Sequence, residues 1–159
     1  GEIFVPEMLV AARAMKKGVE VLKPHLGSGS TGALGKVIIA TVAGDLHDIG
    51  KHLVAMMIES AGFEVIDLGV DVPIEKIIEC YKENTDTKII CLSALLTTTM
   101  PSLRDTVAAL NAEDFRKDIK IMVGGAPITQ AFADEIGADG YSEDAASAAT
   151  LAKSLVGAC

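Results

Sequence analysis

Residues 36–50 read KVIIATVAGDLHDIG, and the change of character halfway along them decides the fold. Residues 36–42 run Val and Ile together without polar alternation, as a strand covered on both faces does. The apolar run then stops, and Gly44, Asp45, His47, Asp48 and Gly50 crowd into the turn where the strand ends. Helical periodicity takes over at 51–61. The unit is a strand, a polar loop and a helix, and its loop carries groups that can bind or titrate.

The same unit recurs downstream. Strands are predicted at 36–42 (KVIIATV), 63–69 (FEVIDLG), 88–93 (KIICLS), 119–125 (IKIMVGG) and 139–141 (DGY), and helices at 51–61, 74–82, 102–110, 128–136 and 144–155. Asp71 with Pro73 marks the start of the second helix, and Thr99 with Pro101 that of the third. Right-handed crossovers wind such a series into a five-stranded, doubly wound parallel sheet, here with the flavodoxin- or Rossmann-like order 2-1-3-4-5. Ligands of such sheets sit beyond the carboxyl ends of the strands, near the switch between strands 1 and 3.

Residues 1–26 stand outside this alternation. In PEMLVAARAMKKGVEVL, at 6–22, the apolar residues Met8, Ala12, Met15, Val19 and Leu22 recur at helical spacing around Lys16 and Lys17, which predicts one amphipathic helix. Gly and Ser dominate 27–35, so that segment reads as a linker and 36–159 as the sheet domain. At 159 residues the chain holds one full domain rather than two. Its 14 basic against 22 acidic residues leave a net charge of −8, which argues against nucleic acid and anionic membranes as partners. No apolar run approaches the roughly 18 residues of a membrane span, and no secretory signal opens the chain, so a cytoplasmic protein is expected. Cys80, Cys91 and Cys159 form no CxxC pair, which argues against a disulfide framework and a structural zinc site. Cys91 reads as a small core residue and Cys159 as solvated.

Three loops converge at one edge of the predicted sheet: GDLHDIG at 44–50, SALLTTT at 93–99 and GGAP at 124–127. His47 offers an imidazole nitrogen to a metal, and Asp45, two residues earlier, can hold the other ring nitrogen. Ser93, Thr97 and Thr98 are small hydrogen-bonding groups, and Gly124 and Gly125 leave room for a flat or bulky group against the backbone. The plainer alternative is a helix cap beside a surface histidine. His52 reads as an ordinary helix residue and His25 as solvated. A single well-placed histidine does not make a closed zinc site, but it suits a metal that arrives coordinated by its own macrocycle. A phosphate-accepting receiver domain would need an aspartate and a lysine where Ser93 and Tyr141 stand, and a dinucleotide site would need a glycine-rich loop where the acidic GDLHDIG stands.

Asp45, His47 and Gly50 form a DxHxxG pattern, Ser93 and Leu95 an SxL pattern, and Gly124 and Gly125 a later GG, all in order and at predicted strand ends. In these motifs the sequence resembles the cobalamin-binding domain of corrinoid-dependent methyltransferase systems, and it is similar to the B12 domain of methionine synthase. The resemblance implies a cobalamin or related cobamide bound base-off, with His47 as the lower axial ligand of cobalt and Asp45 and Ser93 tuning it. It places Asp48, Ile49 and Gly50 at the cofactor, lines the path of the nucleotide tail with Leu95, Thr97, Thr98 and Tyr141, and gives Gly124 and Gly125 the role of making room. The implied function is that of a methyl-carrier corrinoid protein of the methylamine or methanol type. It is not an enzyme by itself; its partners are a substrate:corrinoid methyltransferase, a second methyltransferase and a reductive activase. Residues 4–26 are similar to the last helix of a four-helix cap over the cofactor, read here as truncated, with Phe4, Met8 and Met15 as candidate cap residues. Two other functions share these motifs: a cobalamin-binding sensor, which a linked effector domain would mark, and a mutase cobalamin subunit, which the cap-like helix argues against.

Overall fold

The computed structural model describes residues 34–158 together with Val10, Ala11, Arg13, Ala14, Lys17, Gly18 and Val21. Those seven are helical and exposed. The predicted apolar stripe, Met8, Ala12, Met15, Val19 and Leu22, lies outside the described residues, as do Phe4, the linker up to residue 33, and Cys159.

Five strands, β1 (Lys36–Thr41), β2 (Glu64–Asp67), β3 (Thr87–Ser93), β4 (Lys120–Gly124) and β5 (Gly140–Tyr141), alternate with α1 (Ile49–Ser60), α2 (Ile74–Glu83), α3 (Met100–Ala112), α4 (Gln130–Ile136) and α5 (Ala145–Leu155). They form one parallel sheet in the order β2-β1-β3-β4-β5, the predicted winding. Ile39 pairs with Cys91 and Thr41 with Ser93, so the loops after β1 and β3 leave the sheet side by side. Gly124 pairs with Ser93 and brings the third loop to the same edge.

Each central strand is buried on both faces because its alternate residues serve different layers. Ile38, Ala40, Ile90, Leu92, Ile121 and Val123 pack with Ile77 and Tyr81 of α2, Leu103, Val107 and Leu110 of α3, and Ala133 of α4. Val37, Ile39, Ile89, Cys91 and Met122 pack with Ala55 and Ile58 of α1 and with Ala148, Ala149 and Ala152 of α5. Ala148, Ala149 and Ala152 give α5 a small-residue face on this second layer. Cys80 and Cys91 are free and buried, and burial pushes the Cys91 thiol up to about 12.

Two predicted helix starts differ in detail. Neither Pro73 before α2 nor Thr99 before α3 gives its helix a side-chain cap. The Asp71 and Thr99 side chains are used elsewhere, on the loop that follows β1. Asp144 does cap α5, exchanging hydrogen bonds with Ser147, whose backbone N–H holds the Asp144 carboxyl below its usual range. Among the described residues no helix is long and apolar enough to cross a membrane.

Candidate functional site

The loop after β1 turns at Gly44, whose φ of +83° favours glycine, and Asp45 N–H closes the turn on Val42 C=O at 3.1 Å. The turn drives the Asp45 side chain inward, where it is fully buried. Burial by itself would raise its pKa, but four donors outweigh that: Leu95 N–H at 2.7 Å and Thr99 Oγ1 at 2.7 Å on Oδ2, and His47 Nδ1 at 2.6 Å with His47 N–H at 3.1 Å on Oδ1. The Asp45 carboxyl therefore sits well below the usual carboxylate range.

An ionised carboxylate can only accept, so Nδ1 of His47 carries the hydrogen and the lone pair of the neutral ring lies on Nε2. The His47 side chain is 47 % exposed, which presents that nitrogen to an incoming group. Among the described residues no group of three or more His, Cys, Asp or Glu gathers as a metal site, so His47 would offer a metal a single side chain.

Ser93 lies beside this pair rather than on it. Thr41 Oγ1 donates to His47 C=O at 2.9 Å and lies 3.0 Å from Ser93 Oγ, so the Ser93 hydroxyl donates to Thr41. Ser93 thus acts on the His47 backbone through Thr41, and no hydrogen bond joins it to Asp45 or to the ring.

A cleft of about 610 Å³ opens next to His47, between α1, α5 and the carboxyl ends of β1, β3 and β4. His47, Asp48, Ile49, Gly50, Ser93, Leu95, Gly124 and Gly125 all line it, together with Lys51, Cys91, Met122, Ser142, Asp144 and Ala148. Thr97, Thr98 and Tyr141 are not among the lining residues. Thr97 and Thr98 form an exposed 3-10 turn leading into α3, and Tyr141 packs against the opposite layer, with α2, α3 and α4. The placement of Tyr141 follows from strand parity, since it pairs with Val123, whose side chain serves that layer.

The glycines do different work. A Cβ on Gly125, whose φ is +131°, would lie 1.8 Å from Ala94 O, so this residue lets two loops touch. A Cβ on Gly50 would meet no atom within 4 Å, and Gly50 lines the cleft, so the volume a side chain would fill is left to a ligand. Leu46, Ile49 and Leu95, respectively 71 %, 42 % and 40 % exposed, make an apolar rim around His47. The site therefore combines one oriented nitrogen donor, an apolar platform and an adjoining slot, which suits a metal macrocycle with a trailing group.

Three contributors were not singled out as site residues from sequence. Thr99 is the last of three threonines, and its one distinguishing signal, Pro101 two residues on, marks a helix start rather than a partner for Asp45. Asp71, at φ +51°, accepts from Gly44 N–H at 2.7 Å and donates its own N–H to Asp45 C=O at 2.9 Å, bracing the loop from the β2 side. Lys51 is buried in the first turn of α1 with Nζ on both oxygens of Asp67 at the end of β2, which ties the helix carrying the cleft wall to the sheet. Lys51 opens the helical pattern at 51–61, which also holds His52 and Glu59, and nothing in that pattern marks it as buried.

The family model for the B12 binding domain matches residues 35–150. Dimethylamine corrinoid protein 3 of Methanosarcina acetivorans is 50 % identical over 156 residues, covering 98 % of this chain and 73 % of the relative. Among solved structures, the monomethylamine corrinoid protein of Methanosarcina barkeri superposes with a TM-score of 0.85 at 39 % identity, covering 97 % of this chain and 73 % of that one. The methanol:cobalamin methyltransferase complex MtaBC from Methanosarcina barkeri matches with a TM-score of 0.71 at 32 % identity, covering 99 % of this chain and 59 % of that one. The chain belongs to the B12-binding-domain family, and within it to the corrinoid proteins.

Proposed function

We propose that this protein holds a cobamide with His47 as the lower ligand of cobalt and carries a methyl group between two methyltransferases, the first acting on a methylamine. The observation that carries the reading is the buried Asp45 carboxylate, which fixes the His47 ring so that Nε2 faces outward at the mouth of an apolar cleft. The methylamine class is supported by the relatives, which include dimethylamine and trimethylamine corrinoid proteins at 50 % and 47 % identity.

A bound cobamide supplies a cobalt centre able to take up and release a methyl group. The residues of this chain supply position and electronics. Asp45 holds the Nδ1 hydrogen and raises the basicity of Nε2, while Thr41 and Asp71 fix the backbone on either side. Leu46, Ile49 and Leu95 give the macrocycle an apolar seat, and the cleft beside Gly50 takes its nucleotide tail. In this reading the chain binds and presents, and the partner methyltransferases do the bond breaking. A second methyltransferase on the acceptor side, a reductive activase and a cytoplasmic setting complete this reading.

Its test is reconstitution of the purified protein with cobalamin. An absorbance or paramagnetic resonance spectrum showing imidazole on cobalt is expected, and a spectrum with benzimidazole still on cobalt would overturn the assignment. Methyl transfer should then be supported by a methylamine:corrinoid methyltransferase and not by its methanol counterpart.

A further inference from the structure

We propose that the buried floor of the cleft selects cobamides whose lower base is a benzimidazole over those whose lower base is a purine. The inference rests on the proposed function, in which the nucleotide tail occupies the cleft. Ile39, Cys91, Met122 and Ala148 form the floor, with exposures of 2 %, 5 %, 3 % and 0 %. Only Cys91 among them carries a side-chain donor, and its thiol, pushed up to about 12 by burial, stays neutral and weak; the Met122 thioether is a weak acceptor.

The other polar groups nearby are committed. In the parallel ladder Cys91 pairs with Ile39 on one side and Met122 on the other, which occupies the strand backbone beneath the cleft. Lys51 on the wall is bound to Asp67, and the Ser93 hydroxyl to Thr41. No buried side-chain nitrogen or oxygen among the described residues lacks a partner. Ser142, Glu143 and Asp144, which line the cleft too, are exposed or half-buried and stand at the rim.

A base reaching this floor meets no strong donor or acceptor, only the weakly bonding sulfurs of Cys91 and Met122. Benzimidazole and adenine share a bicyclic outline, so shape separates them little, whereas hydrogen bonding separates them strongly. Adenine brings an exocyclic amine and additional ring nitrogens, and sinking these among Ile39, Met122 and Ala148 removes their water without replacing it. Dimethylbenzimidazole presents methyl groups there instead.

The experiment titrates the purified chain with cobalamin, with its adenine-containing analogue, and with cobinamide, which has no nucleotide, following the spectrum that reports imidazole on cobalt. Cobalamin is expected to bind about tenfold or more tightly than the adenine analogue, the scale of one unpaired polar group. Cys91→Ser and Ala148→Ser each put a hydroxyl at the floor, and each should narrow that gap; if one variant fails to fold, the other decides. Equal affinity for the two cobamides, or a gap unchanged in the folded variants, would overturn the proposal. So would cobinamide binding as tightly as cobalamin, a result that leaves His47 ligation standing. If none of the three places imidazole on cobalt, the proposed function fails and the selectivity with it.

Discussion

Thr99 Oγ1 donates a 2.7 Å hydrogen bond to Asp45 Oδ2 across 54 positions of sequence. The bond joins the loop after β3 to the loop after β1, and Leu95 N–H reaches the same oxygen at 2.7 Å. Orientation of His47 therefore depends on a loop that makes no hydrogen bond to its ring.

Replacing Thr99 by Val removes this donor while keeping the shape, and leaves a buried carboxylate oxygen with one partner fewer. Cobamide affinity is expected to fall about tenfold, the lower end of the range for partners that orient a metal ligand. Thr99→Ser should restore it. Titration of both variants with cobalamin checks the pair, and a Val variant as tight as wild type would remove Thr99 from the site.

The depressed pKa of Asp45 makes a prediction about acid stability. Folding lowers this pKa, so the unfolded chain binds more protons in the acid range, and stability must rise with pH there. Ionised Asp45 contributes fully above the ordinary carboxylate value of about 3.9, and its contribution is lost as pH falls through the folded value. The difference in urea midpoint between wild type and Asp45→Asn should be largest above about pH 5 and shrink towards pH 2. A difference independent of pH would mean that Asp45 is not ionised in the folded protein.

Gly125 and Gly50 should respond oppositely to alanine. Gly125→Ala sets a methyl group 1.8 Å from Ala94 O at a positive φ, and should destabilise the fold by about 3 kcal/mol or prevent folding. Gly50→Ala meets no atom within 4 Å and improves helix propensity in α1 by up to about 1 kcal/mol, yet it adds a methyl group to a residue that lines the cleft. It should leave the thermal melt unchanged or raised while weakening cobamide binding, which calorimetry and titration can separate.

The Lys51–Asp67 pair should be asymmetric. The Lys51 side chain is fully buried and that of Asp67 is 28 % exposed, with Gly69 N–H at 2.8 Å as a second partner. Asp67→Asn leaves a buried ammonium without its counter-charge and should cost about 3 kcal/mol or more, the range for breaking a buried pair. Lys51→Met leaves a carboxylate that water and Gly69 can still satisfy, and should cost less. Urea denaturation of both variants gives the order, and the reverse order would contradict the burial seen here.

The winding of the sheet was legible because each strand is a short run of Val and Ile and each helix has its own periodicity, so local pattern and chain order were enough. The DxHxxG, SxL and GG motifs were legible for a related reason: they sit at strand ends, and the parallel sheet brings those ends to one edge. Thr97, Thr98 and Tyr141 were drawn towards the cleft by the same reasoning and lie away from it. A strand end fixes where a loop begins, but not the direction of each side chain after the chain has turned.

Asp45, His47 and the order of the five strands were determined by the sequence itself, through contacts between residues close in the chain and through apolar runs that can be buried only one way. The tertiary structure alone decided that Thr99 rather than Thr97 or Thr98 holds Asp45, that Ser93 works through Thr41, that Asp71 braces the loop, and that Lys51 is buried against Asp67. Each of these is a polar contact between different loops or elements. Such a contact forms only after the apolar layers have set the distance between its partners, and hydrophobic periodicity carries no record of it.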